Sequence, residues 1–200
     1  MTVIEWGAVG FNLLYVYLAG RQKIACWPVG IIGVVLSFLV YVPARLYSDS
    51  LLQVFYLVLS LYGWWTWSAA GIVEPSRSAI RRMTGILHVR VISVGAGGGL
   101  LLGWFWSHFG AALPIMDGMT TSFSIVTTWL VARRYLENWW YWIVIDSVCI
   151  GVYFLRDIPA FIVLFGMYVL LSVWGLRAWQ RSLDQGRLAR ENHDAESMII

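Results

Sequence analysis

Seven apolar runs, each close to the length of a bilayer-spanning helix, dominate the chain. They lie at approximately Val3–Ala19, Trp27–Ala44, Leu51–Ala70, Val89–Phe109, Gly118–Ala132, Trp139–Leu155 and Ile158–Leu176. A hydrocarbon core about 30 Å thick takes roughly 20 helical residues to cross. No water is available there, so only helices and closed barrels satisfy their own backbone groups. Barrel strands are about ten residues long and alternate in polarity. These runs are longer and do not alternate, which predicts an all-α membrane protein with seven transmembrane helices. The charged fraction of 12%, against about a quarter in soluble domains, excludes an ordinary aqueous fold. No basic residue precedes the first run, so it does not read as a cleaved signal peptide.

Twelve of the fourteen basic residues fall on one side of this topology: Arg21, Lys23, Arg77, Arg81, Arg82, Arg90, Arg133, Arg134, Arg177, Arg181, Arg187 and Arg190. Only Arg45 and Arg156 fall on the other. Basic residues are enriched in cytoplasmic loops, so the N-terminus is expected outside and the C-terminus in the cytoplasm. The net charge of +3 is then a consequence of topology and calls for no nucleic acid. The only long polar connection runs from Glu74 to His88, and the polar tail from Gln180 to Ser197 is expected to be a frayed cytoplasmic helix or disordered.

An internal repeat organises the runs. At an offset of 112 residues Trp27 falls on Trp139, Tyr41 on Tyr153, Tyr56 on Tyr168, Gly63 on Gly175 and Trp67 on Trp179, within ten identities over the 41 positions from Trp27 to Trp67. Upstream, Arg21 meets Arg133 and Glu5 sits opposite Asp117. Apolar matches arise easily by composition; Trp, Tyr, Gly and Arg matches at one offset do not. Three helices, one connecting helix and three more make the halves parallel. The expected division is residues 1–70 for the first repeat, 71–112 for the cytoplasmic linker and fourth helix, 113–179 for the second repeat and 180–200 for the tail. In secondary transporters with parallel repeats, the site lies between them near the midplane.

Polar groups within the runs mark candidate sites. Trp139, Trp142, Asp146, Cys149 and Tyr153 follow one another at spacings of three and four, so they share one face of the sixth helix. A carboxylate at that depth is costly and usually faces a cavity or a partner. Ringed by indoles and a phenol, it suits an aromatic ligand, or a cation held against ring faces. The structural alternative makes Trp139 and Tyr153 interfacial belt residues and Asp146 an interhelical hydrogen-bonder. Gln53, Tyr56, Ser60 and Gly63 share a face of the third helix; Phe165, Tyr168, Ser172 and Gly175 share the matching face of the seventh. Asn12 is alone at mid-depth on the first helix, and Ser122, Ser124, Thr127, Thr128 and Trp129 make the fifth unusually polar. Cys26 and Cys149 read as packing residues. Gly95, Gly99 and Gly103 read as a close-packing stripe and not a dinucleotide fingerprint, because no strand precedes them. His88, His108 and His193 lack metal-ligand spacing. With no nucleophile, metal set or acid–base pair visible, an enzyme is not expected, and neither cofactor nor metal is implied.

Two blocks resemble the PnuC-type vitamin transporters: Asp49-Ser50-Leu51-Leu52-Gln53-Val54-Phe55-Tyr56 continuing to Tyr62-Gly63-Trp64-Trp65-Thr66-Trp67, and Arg133-Arg134-Tyr135-Leu136-Glu137-Asn138-Trp139-Trp140-Tyr141-Trp142 continuing to Asp146. The resemblance implies the SWEET-like 3+1+3 arrangement and uptake of a vitamin precursor across the bacterial inner membrane. Nicotinamide riboside is the best-known substrate class; relatives carry thiamine or riboflavin. It also implies facilitated diffusion, a homotrimer in membrane lipid, and a cytoplasmic kinase that traps the product as a metabolic rather than physical partner. By position it points to Gln53, Asn138, Trp139 and Trp142 as substrate-binding residues, joining Tyr56, Trp129, Asp146, Tyr153 and Tyr168. Similar nicotinamide riboside carriers show an amide where this chain has Asp146. The carboxylate fits cationic nicotinamide riboside or thiamine better than neutral riboflavin. A seven-helix ligand sensor is the rival of another class; it would need a larger cytoplasmic docking surface than a linker and tail.

Overall fold

A computed structural model of the chain describes residues 2–43, 47–73, 80–109, 113–155 and 159–197, with residues 47–48, 70–73, 189–190 and 192–197 described by backbone alone. Among the described residues there are seven helices: α1 (Val3–Gly20), α2 (Cys26–Tyr41), α3 (Tyr47–Val73), α4 (Gly85–Ser107), α5 (Pro114–Ala132), α6 (Asn138–Leu155) and α7 (Pro159–Ser197). Their ends follow local chemistry. Thr2 and Glu5 form a reciprocal capping box at α1, with Thr2 N–H donating to Glu5 Oε2 at 2.7 Å. Thr84 Oγ1 accepts from Leu87 N–H at 3.3 Å to open α4, and Pro114 opens α5 where no donor is needed. These caps are polar or proline-bearing, so α4 and α5 begin about a turn before the apolar runs do.

By length and composition α1, α4, α6 and the Pro159–Leu188 part of α7 are able to cross a membrane, and α2 is apolar but shorter, at 16 residues. In α3 and α5 polar residues dilute the apolar run. Of the two readings of the polar stretch from Gln180 to Ser197, helix or disorder, the structure has the helix: α7 continues unbroken to Ser197. The polar connection is ordered well before His88. Arg81 N–H donates to Arg134 O and Leu136 N–H to Arg81 O, both at 2.9 Å, while Met83 N–H reaches Glu137 Oε2 at 2.9 Å. Buried Ile80 anchors this segment. Residues 74–79 of that connection lie outside the described residues.

Helix α1 packs on α2 and α7, α3 on α2 and α5, α5 on α4 and α6, and α6 on α7. The α4 glycines let backbones touch. A Cβ added at Gly95, Gly99 or Gly103 would strike Phe123, Met119 or Ile115 of α5, and one at Gly118 would strike the α4 backbone.

The offset of 112 recurs in the geometry. Among the described residues, Gln22 and Arg134 are the non-glycine ones with positive φ, at 55° and 56°. Around each, the same backbone bonds close the turn: Gln22 N–H to Ala19 O and Arg134 N–H to Val131 O at 2.9 Å, Lys23 N–H to Leu18 O and Tyr135 N–H to Leu130 O at 3.0 Å. Arg21 lies over Tyr17 at 5.6 Å, and Arg133 over Trp129 at 6.0 Å. Trp27 seats on Gly63 and meets Trp67 edge-on at 5.3 Å; Trp139 seats on Gly175 and meets Trp179 edge-on at 5.5 Å. With Trp67 and Trp179 6.4 Å apart, these four buried indoles, together with Cys26, Ile80, Leu136 and Leu176, form the core at the basic end of the molecule.

Candidate functional site

A cavity of about 470 Å³ runs from this tryptophan core toward the opposite helix ends, within the range usual for small-molecule sites. Trp139, Ala19 and Val131 form its floor; Tyr41, Asp49, Asp117, Tyr153 and Phe161 line its far end. Much of the wall is made in pairs at the repeat offset. Tyr41 pairs with Tyr153, Leu52 with Leu164, Tyr56 with Tyr168 and Ser60 with Ser172.

The departures from symmetry concentrate the chemistry. Where the first half offers Gly30 and Val34, the second offers Trp142 and Asp146. Where the second offers Phe161 and Phe165, the first offers Asp49 and Gln53. Asp146 is 3% exposed and sits eight residues into α6, about 12 Å from its start. Tyr15 rests against Gly30, so it fills space that Trp142 occupies across the cavity. Tyr153 stacks on Phe161 at 4.6 Å and on Phe165 at 5.4 Å, giving the far end a layered aromatic wall. Among the described residues lining the cavity the charged ones are Asp49, Asp117 and Asp146; no Lys, Arg or His joins them.

Seven expected site residues, Gln53, Tyr56, Trp139, Trp142, Asp146, Tyr153 and Tyr168, stand on this wall, as does Cys149. The floor position of Trp139, 2% exposed, is incompatible with a belt residue at the lipid interface. Its indole N–H is buried and has no hydrogen-bond partner among the described residues.

Trp129 and Asn138 stand elsewhere. Trp129 is one residue past Thr128, so it turns about 100° from the cavity face and lies beside Tyr135 and Arg133. Asn138, the first residue of α6, is fully buried, and its Nδ2 donates back into the preceding turn to Tyr135 O at 2.6 Å. Asn12 is not isolated: its Nδ2 donates to Ser37 Oγ at 3.0 Å. On α5, Thr120, Thr121, Ser124 and Thr128 line the cavity. Thr128 donates to Ser124 O at 2.8 Å and so spends its proton on its own helix. Tyr15, Asp49 and Asp117 are wall residues that sequence reasoning passed over. Tyr15 is embedded in an apolar run with no polar marker, whereas Asp117, opposite Glu5 in the repeat, carried one.

Comparison with known proteins agrees in kind. The family model described as nicotinamide mononucleotide transporter matches residues 2–181. The nicotinamide riboside transporter PnuC of Escherichia coli (strain K12) is 26% identical over 201 residues, spanning 86% of this chain and 82% of the relative. That of Neisseria mucosa is 28% identical over 185 residues, spanning 85% of this chain and 69% of the relative. The riboflavin/roseoflavin transporter RibM of Streptomyces davaonensis is 23% identical over 172 residues, spanning 84% and 80%. The crystal structure of the vitamin B3 transporter PnuC superposes with a TM-score of 0.75 at 24% identity, covering 92% of this chain and 83% of that one. That likeness is one of fold.

Proposed function

The chain belongs to the nicotinamide mononucleotide transporter family, and from that premise we propose that it carries nicotinamide riboside, a small aromatic vitamin precursor, across the membrane. The observation that carries the choice of cargo is the cavity's charge. Aromatic rings and the carboxylates of Asp49, Asp117 and Asp146 line it, with no basic residue among the described lining. A pyridinium cation gains from both the rings and the carboxylates. A phosphorylated nucleotide would bring an anion against Asp146 and the ring faces, with no cation among the described lining residues to receive it. Seven lining residues, Gln53, Tyr56, Trp139, Trp142, Asp146, Tyr153 and Tyr168, form the proposed binding set, with Tyr15 closing the opposite wall.

The proposed architecture is two parallel three-helix repeats, residues 1–70 and 113–179, joined through α4, with seven crossings, the N-terminus outside and the C-terminus cytoplasmic. The repeated turns, tryptophan seats and paired wall residues support it. The proposed mechanism is alternating access around the shared cavity, as facilitated diffusion drawn inward by cytoplasmic phosphorylation of the cargo. The proposed assembly is a homotrimer in the bacterial inner membrane.

Flux into liposomes containing only this protein tests the reading. Nicotinamide riboside enters, and nicotinamide mononucleotide does not. Entry of the nucleotide at a comparable rate would overturn the charge argument. Thiamine and riboflavin in the same assay rank the other cargoes, and binding without flux would favour a sensor.

A further inference from the structure

The core at the basic end contains two indole hydrogen bonds that cross between the halves. Trp67 on α3 donates its indole N–H to Ala132 O at the end of α5, and Trp179 on α7 donates to Ala19 O at the end of α1, both at 3.0 Å. Each joins the third helix of one half to the first helix of the other. Both indoles are buried, at 2% and 0% exposure. The accepting carbonyls are in last helical turns, where the ordinary helical donor is missing; Ala19 O also accepts from Gln22 N–H at 2.9 Å and Ala132 O from Thr66 Oγ1 at 3.2 Å. Trp27 and Trp139 occupy the same core at the same offset, yet their N–H groups have no partner among the described residues. Donor bonding thus separates two structurally similar pairs of tryptophans.

We propose that Trp67 and Trp179 are the latch that holds the cytoplasmic end of the transport cavity shut. The latch rests on the carrier reading and orientation above and extends them to a defined pair of positioning residues. Opening toward the basic side requires the third helix of each half to part from the first helix of the other, which breaks both bonds and leaves two buried indole N–H donors without their acceptors. Arg134, 4.5 Å over the Trp67 ring, sits on the outer side of the same closure. Trp139 connects the latch to the cargo: it lines the cavity and meets Trp179 edge-on at 5.5 Å and 89°. A ligand ring that displaces Trp139 therefore presses on the Trp179 bond.

The test uses Cys149, a cavity residue, as the reporter, with Cys26→Ala removing the other thiol. In inside-out vesicles a membrane-impermeant maleimide reaches Cys149 only through an open cytoplasmic end. Trp67→Phe and Trp179→Phe keep an aromatic ring but lose the pyrrole half of the indole together with its donor, a loss of volume that Trp27→Phe shares. Each is expected to raise the labelling rate about fivefold, the population shift from losing one hydrogen bond of ordinary net strength. Trp27→Phe removes an unpartnered N–H from the same core and is expected to leave the rate unchanged. Unchanged rates in both Trp67→Phe and Trp179→Phe overturn the latch, as does an equal rise in Trp27→Phe, which would assign the closure to packing. Gel filtration confirms that each variant is folded; if one aggregates, the other carries the same test. Labelling needs no cargo, so failure of the latch and failure of the nicotinamide riboside assignment, read by calorimetric titration of the wild-type protein, are distinguishable.

Discussion

At the scale of single residues, Asp146 and the seat glycines make the sharpest demands. Asp146 is nearly buried on a cavity wall whose described charged residues are all acidic, so a cation bound beside it would favour its ionised form and gain from it at short range. Asp146→Asn keeps the shape and removes the charge. It is expected to weaken nicotinamide riboside binding about tenfold to a hundredfold, the worth of a hydrogen bond to a charged group. The uncharged dihydro form of the same riboside should lose much less. Calorimetric titration of both ligands checks this, and equal losses would remove the electrostatic account. Gly63 and Gly175 each accept an indole where a Cβ would collide with the ring. Gly63→Ala and Gly175→Ala are each expected to cost about 1–3 kcal/mol, as overpacked sites do, seen as lower thermal midpoints in detergent. Only Gly175→Ala displaces Trp139 from the cavity floor, so only it should also weaken ligand binding.

At the scale of elements, α4 is the helix without a counterpart in the offset of 112, and its attachment to α5 depends on backbone proximity. A methyl at Gly118 meets the backbone of Gly99 and Gly103, which has no rotamer with which to move away. A methyl at exposed Gly97 meets nothing within 4 Å. Gly118→Ala is therefore expected to destabilise by about 2–3 kcal/mol, toward the upper part of the overpacking range. Gly97→Ala should stabilise by about 0.5–1 kcal/mol through helix propensity. Melting curves of the two purified variants in one detergent compare them directly. A fall in both would mean that α4 tolerates no added volume on any face. The two short turns after α1 and α5 show a related economy: one left-handed residue in each reverses the chain and aims the following tryptophan at its glycine.

At the scale of the whole molecule, the two halves exchange contacts instead of packing as separate bundles. Helix α3 lies on α5 and α7 on α1, so the cavity between them belongs to both halves. The basic residues gather beside the tryptophan core, at the turns after α1 and α5 and on the segment that Arg81 pins to Arg134. Placing that end in the cytoplasm predicts that a fluorescent protein fused after Ile200 folds and fluoresces, while alkaline phosphatase at the same point stays inactive. The opposite pattern would reverse the orientation and move the latch to the outer face. The proposed assembly predicts a mass of three chains in native mass spectrometry of the protein in detergent.

Element type, approximate helix positions and the register of the repeat were legible without coordinates, because they depend on local properties. Bilayer length, apolar run length and a fixed offset can all be counted along the chain. The faces carrying Gln53, Tyr56, Asp146 and Tyr168 were legible too, since helical period alone groups them. What lay beyond reach depends on partners distant in sequence. Tyr15 faces the cavity because Gly30 leaves it room, while Trp129 misses it by one residue of helical rotation. Asn138 looks like a ligand beside Trp139 until its amide is found closing the turn at Tyr135. The clearest case is the tryptophans, four apolar residues that sequence treats alike. Only the tertiary structure distinguishes the two whose N–H groups reach carbonyls 65 and 160 residues away from the two whose N–H groups have no partner among the described residues. A hydrogen bond is decided by where its acceptor is, and hydropathy has no information about that.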